Sequence, residues 1–496
     1  MISKWLPTLT IGLIFLLCFV GVSSASPAEP VIIPNLEEAE AYLETQMRRH
    51  GFKGMAVAIT QAEEIIYLRG FGSAEGEQPV TPRTPFFIGS VSKSFTALAV
   101  MQLVDQGLVD LDSPVQTYIP WFTTLDQASS SQITVRHLLN QTSGLSNSSF
   151  RRPPITEETT LEETVHHLRQ AQLTAEPGTR FSYFNPNYNV LAQVVEAVSG
   201  MSFNSYLVKY IFEPLDMEHS FVDRASAENA GLATGHSIFF GFPIPRNQSF
   251  YPAEIPAGFI ISSVEDMAHY MIAQANAGVY LQAEILSPEA VAVMHAPPDG
   301  IAGNYAMGWI AQERNGLKIL RHNGSLETFF ADVILLPEHE LGIALLFNQN
   351  AMLPQIISYN AMADGLVNSV LGEQSVRGGM SLRLLYSLLT ALVIFDLTRH
   401  LILIIKLAKG WEADQNKPYF KQIITIFLQH LLLPTLFLLV FVMMITFAGL
   451  NAARVTFFYQ IIDLTLWLVL GSIFSMIEAV IKFRWLRAFE PANTSH

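Results

Sequence analysis

A single cysteine, Cys18, occurs in the 496 residues. It lies inside an apolar N-terminal run, so loss of that run would leave no thiol for a disulfide, a thiolate metal site or a cysteine nucleophile. Positive charge is scarce too. Lys and Arg total 29 against 43 Asp and Glu, for a net charge of −14, and the excess of acid falls before Met380. Such a surface gives nucleic acid no reason to bind. The chain also lacks a G-x-S-x-G elbow, an H-E-x-x-H helix and a phosphate loop, which disfavours an α/β-hydrolase triad or a zinc peptidase. His166, His167 and His339 have no companions at metal-ligand spacing and are expected on a solvated surface. No metal or organic cofactor is called for.

Hydrophobic residues, in contrast, make up 50% of the chain, and the mean hydropathy of +0.31 is high for a soluble enzyme. The excess is unevenly spread. Residues 1–25 combine Lys4, an apolar run and small residues ending near Ala25, the pattern of a signal peptide or of an uncleaved anchor. Leu16 and Leu17 precede Cys18 where a lipoprotein signal would place small residues, so lipid attachment is not expected. Three further apolar runs, 384–408, 423–450 and 457–481, are each long enough to cross a bilayer. The loop "KLAKGWEADQNKPYFK" and the tail "IKFRWLR" carry the local basic residues, which by the positive-inside rule puts them in the cytoplasm and the large N-terminal part outside. Asp396 and Arg399, three apart in the first run, are expected to pair on one helical face.

Between the leader and the apolar tail, the pattern predicts an α+β domain over about 35–372. "NLEEAEAYLETQMRRHG" reads as a helix with an Asn cap and a Gly stop, and "GMAVAIT" and "EIIYLRGFG" as a strand pair. A mostly helical middle follows, and strand patterns return in "NYAMGWIAQ", "LKILRHNGS", "FFADVILLPE" and "LGIALLFNQ" before a closing helix. The expected architecture is an antiparallel sheet flanked by helices, with an inserted helical domain, followed by an all-α transmembrane bundle.

Chemistry concentrates in three places. In "FIGSVSKSFTALAVMQ", Ser90 and Lys93 sit where an apolar strand gives way to a helix. Three-residue spacing puts the hydroxyl and the amine on one face, and a lysine whose pKa burial lowers can accept the serine proton. In "PGTRFSYFNPNY", Tyr183 can relay protons and Asn185 can orient a lysine or a carbonyl. In "LRHNGSLETFFADV", His322, Asn323 and Gly324 lie on or beside a strand whose glycine permits close approach of a substrate backbone. His137, in "RHLLNQTSG", is expected to be structural.

In order and context these stretches resemble the serine β-lactamase and penicillin-binding protein superfamily, in its class C β-lactamase-related branch of peptidases and esterases. "ITVRHLLNQTSGL", "AGFIISSVEDMAHYM" and "YAMGWI" are similar to that branch as well. The resemblance implies that Ser90 is acylated, Lys93 accepts its proton, Tyr183 is the acid/base and Asn185 orients. His322, Gly324 and Ser325 would line the substrate site, and the oxyanion hole would be the N–H groups of Ser90 and Ser325. One departure matters: His-Asn-Gly stands where many relatives carry Lys-Thr-Gly, which exchanges a fixed cation for a group mostly neutral at pH 7. The expectation is therefore a membrane-anchored extracytoplasmic hydrolase of small peptides, esters or cell-wall-derived substrates. The alternative is a sensor that is acylated without efficient turnover.

Overall fold

The computed structural model describes residues 35–373, 380–411, 418–432, 434–436, 439 and 461–488. The leader and much of the second apolar run lie outside the described residues. The expected first helix is present as α1 (Leu36–His50), with the Asn35 side chain accepting from the Glu38 N–H and Gly51 turning left-handed at its end.

Eight antiparallel strands form the main sheet: β1 (Gly54–Gln61), β2 (Glu64–Glu75), β3 (Gln78–Pro79), β4 (Tyr305–Ala306), β5 (Trp309–Arg314), β6 (Leu317–Ser325), β7 (Phe330–Leu336) and β8 (Leu341–Phe347), in the order β4-β5-β6-β7-β8-β1-β2-β3. Its central strands are buried on both faces and differ in residue size from one face to the other. Along β1, Met55, Val57 and Ile59 face α1 and the closing helix α5 (Asn360–Val370), whereas Ala56 and Ala58 face the helical insertion. Small residues on that second face let α4 (Val264–Ala275) pack closely on the sheet, and Gly342 of β8 is so near Met271 that a methyl there would meet its Cβ at 2.9 Å.

The insertion joins β3 to β4 and is mainly helical, led by α2 (Ser92–Asp105) and α3 (Pro186–Ser199). It also contains a hairpin the sequence pattern did not suggest: His236–Phe239 pairs with Phe242–Pro245 on one side and, in parallel, with Gln349–Asn350 on the other.

Beyond the domain, two described helices are long and apolar enough to span a bilayer, α6 (Leu382–Lys409) and α7 (Ile462–Ala488). They lie side by side and run the same way: Trp467 Nε1 donates to Asp396 Oδ2 at 3.1 Å, and Trp485 Nε1 donates to the Leu407 carbonyl at 2.8 Å. Both start at the end next to the α+β domain, where the Leu382 N–H reaches His50 Nδ1 at 3.3 Å and Asp463 Oδ1 accepts from the Phe240 N–H at 2.9 Å. The Asp396–Arg399 pair forms at 3.0 Å. A second polar group, not singled out from sequence, sits deeper. Glu478 of α7 meets His400 Nδ1 at 2.7 Å and His430 Nδ1, from the intervening helical segment, at 2.9 Å, and Lys482 Nζ lies 2.7 Å from His430 Nε2.

Candidate active site

Ser90 occupies a single 3₁₀ turn, Gly89–Val91, that runs directly into α2. Gly89 has φ 55°, a left-handed conformation that swings the chain from the short strand Phe86–Phe87 into the helix. β6 presses against this turn: a methyl on Gly324 would meet the Ile88 carbonyl oxygen at 1.8 Å and the Ser90 nitrogen at 2.9 Å, and one on Gly89 would meet the Ser325 nitrogen at 2.7 Å. Two facing glycines thus let the backbone at Ser90 and the backbone at Ser325 come into close contact.

Lys93 is wholly buried, and its Nζ lies 3.2 Å from Ser90 Oγ and 2.5 Å from the Ala257 carbonyl oxygen. It also sits over the rings of Tyr183 at 4.8 Å and Tyr188 at 5.8 Å. Burial pushes its pKa down to about 7, with the Glu254 carboxylate opposing that shift. Glu254 itself is held by Arg152 and by Asn189 Nδ2 at 2.8 Å.

Tyr183 reaches the same point from the loop preceding α3. Burial raises its phenol well above the ordinary range, and a hydrogen bond with Ser90 works the other way. The loop is shaped by Gln141, whose Oε1 accepts from the Phe184 N–H at 3.0 Å and from Asn187 Nδ2 at 2.6 Å. His137 serves that segment structurally, its Nδ1 accepting from the Thr134 N–H at 3.2 Å in a capping box. Asn185 starts α3, but its buried Oδ1 has no protein partner, and Lys93 is held by Ser90 and Ala257 instead.

His322 is buried on β6. Its Nε2 lies 3.1 Å from the Tyr305 hydroxyl and its Nδ1 2.7 Å from the Asn323 carbonyl oxygen. Burial, reinforced by Lys93, pushes its pKa down to about 3, so the imidazole is neutral across the physiological range. Ser325 Oγ accepts from Asn350 Nδ2 at 2.9 Å and Gln355 Nε2 at 3.0 Å.

The structure thus gathers Lys93, Tyr183, His322, Gly324 and Ser325 about Ser90, with Asn185 at the N-cap position of the adjoining helix. Sequence reading missed the Ala257 carbonyl, Glu254, Tyr305 and the Asn350–Gln355 pair. Only Ala257 and Tyr305 lay in stretches that looked familiar, and no spacing rule points to a backbone carbonyl. His166, expected on the surface, is partly exposed and packs at a tilt against Trp121 with ring centroids 4.1 Å apart.

Fold and constellation together define a protein of the penicillin-binding-protein-like α/β class. The chain belongs to the Beta-lactamase family, whose profile matches residues 39–361. Among curated relatives, Protein flp of Staphylococcus aureus (strain NCTC 8325 / PS 47) is 24% identical over 328 residues, which is 65% of each chain. The human Putative beta-lactamase-like 1 is 26% identical over 333 residues, 64% of this chain and 65% of that one. The chain therefore spans 65% of the length of the curated relatives it matches. Among solved structures, the octameric penicillin-binding protein homologue from Pyrococcus abyssi superposes with a TM-score of 0.59 at 28% identity, covering 69% of this chain and 79% of that one.

Proposed function

We propose that the protein is a membrane-anchored serine hydrolase that cleaves amide, peptide or ester bonds through an acyl-enzyme on Ser90, with the domain on the extracytoplasmic side. The observation that carries this is the buried Lys93 amine, lowered to about 7 and 3.2 Å from Ser90 Oγ. Near neutral pH a large fraction of Lys93 is unprotonated and can take the Ser90 proton as Oγ attacks a carbonyl carbon. The negative charge then forming on the carbonyl oxygen falls between the N–H groups of Ser90 and Ser325. Tyr183 keeps its own proton at any working pH. It can therefore only relay, receiving a proton from Lys93 while passing its own to the departing amine or alkoxide. Water attacks the ester by the reverse relay, releases the acid and returns the proton to Ser90.

The neutral His322 narrows the substrate. Lys93 must lose its charge to act, and His322 supplies no fixed cation for a substrate carboxylate. This favours neutral esters, amides and peptides over substrates recognised through a terminal carboxylate. Labelling of full-length protein in membranes by a fluorophosphonate serine-hydrolase probe and by a fluorescent penicillin, each compared with Ser90→Ala, tests the proposal. Serine-dependent fluorophosphonate labelling is expected, and absence of labelling by either probe overturns it. If penicillin labels Ser90 and the adduct persists without turnover, the sensor reading replaces that of a hydrolase.

A further inference from the structure

The hairpin His236–Phe239/Phe242–Pro245 protrudes from the domain where α6 and α7 begin. Its tip is a two-residue turn with φ 48° at Phe240 and 84° at Gly241. A left-handed aromatic residue is uncommon and needs support from its surroundings. Here the Phe240 N–H donates to Asp463 Oδ1 at 2.9 Å, and Gly241 lies so close to Tyr386 that a methyl there would meet its Cβ at 2.8 Å. Both membrane-spanning candidates thus meet the turn near their N-terminal ends, through Tyr386 and Asp463. The outer strand carries its apolar side chains into the open, Phe242 at 69% exposure and Ile244 at 47%, and the whole segment "IFFGFPIP" is uncharged.

From this geometry we infer that the hairpin is a foot that rests in the surface of the bilayer the tail spans, its partner being the headgroup and upper acyl layer of the lipid. An exposed strand of this kind could instead recruit another polypeptide by edge pairing, but Pro243 and Pro245 prevent that. Both pair within the ladder, so a residue without an N–H can sit there only where its nitrogen points away from the partner strand. The free edge consequently lacks donors at both positions. Lipid needs no such donors, and aromatic and aliphatic side chains at the end of a span suit the interface. Leu384 and Leu388 of α6 are likewise exposed and apolar at the same end of the span. The inner strand pairs with Gln349–Asn350, and Asn350 holds Ser325 Oγ, so a seated foot also fixes the height of Ser325 above the bilayer.

The inference rests on the proposal that the tail crosses a membrane, and the experiment separates the two. Nitroxide labels are placed singly at Phe242→Cys, Ile244→Cys, Leu125→Cys and Ile394→Cys, in a full-length Cys18→Ser background reconstituted into phosphatidylcholine and phosphatidylglycerol vesicles. Each labelled chain is first checked for a wild-type melting temperature. Collision rates with oxygen, which concentrates in lipid, and with a nickel chelate, which stays in water, are then compared. The oxygen-to-nickel ratio at 242 and 244 is expected to exceed that at 125, an exposed residue elsewhere on the domain, several-fold. Ratios at 242 and 244 equal to that at 125, with 394 lipid-exposed, overturn the foot. A water-exposed 394 overturns the membrane-spanning tail, and the foot with it.

Discussion

Lys93 in the α+β domain and Glu478 in the apolar tail are both buried ionisable side chains, 0% and 1% exposed, but they are treated in opposite ways. Lys93 receives a serine oxygen, a backbone carbonyl and two tyrosine ring faces as partners, with a carboxylate acting from further off. Its charge is poorly repaid, its pKa falls, and the neutral amine becomes a base. Glu478 is met by His400 and His430 from two other helical segments, with Lys482 behind His430. A buried ionisable group short of charged partners becomes reactive, whereas one met by side chains of other helices ties those helices together.

The sharpest way to break the comparison is at the reactive end. Ser90→Ala should abolish covalent labelling, and Lys93→Met should slow acylation by about 10³-fold or more, since it removes the proton acceptor. The lysine variant should nevertheless melt higher, by about 1–2 kcal/mol, because an under-solvated amine gives way to a packed apolar chain. A lower melting temperature would mean that Lys93 is better solvated than its surroundings indicate.

Next in size is Gly324→Ala. The added methyl collides with the Ile88 carbonyl oxygen, and the shift of β6 that relieves the collision should separate the two N–H groups, lowering acylation by about 10²-fold with secondary structure intact in circular dichroism.

Glu478→Ala probes the other arm. It should weaken the tail's helix association by about 1–2 kcal/mol in detergent unfolding and leave the acylation rate of Ser90 near the wild-type value. A matching loss of acylation would show that the two buried groups are coupled.

The smallest effect is one of pH. Acylation should rise through a midpoint near pH 7 as Lys93 deprotonates. The sign for stability follows from the same shift. The folded amine titrates below the unfolded one, so the unfolded chain binds more protons between the two values, and stability falls as pH drops from about 10.5 to 7 with no further change below. A His322→Lys variant should move the acylation midpoint lower, through like-charge repulsion, and raise reactivity toward carboxylate-bearing substrates. An unmoved profile would show that Lys93 is not the titrating base.

Much of this was legible along the chain. S-x-x-K, Y-x-N and H-x-G each place a side chain by local geometry, and the alternation in β1 and the cap of α1 follow from neighbouring residues. Less could be read where partners come from distant segments. The Ala257 carbonyl comes to Lys93 across 164 positions, and Asn350 to Ser325 across 25. The hairpin at 236–245 escaped notice because two prolines and a run of aromatics hide its strand alternation. His400 and Glu478 stand 78 residues apart and share no short-range pattern.

What the sequence determined by itself is the set of chemical parts and their local poses: a serine three residues before a lysine at a helix start, apolar runs long enough for a bilayer, and the absence of any thiol other than Cys18. Those depend on interactions a few residues long. Tertiary structure alone decided the protonation states and the alignment, because the pKa of Lys93, the neutrality of His322 and the meeting of Gly89 with Gly324 arise from water exclusion and close packing between segments that only the folded chain brings together.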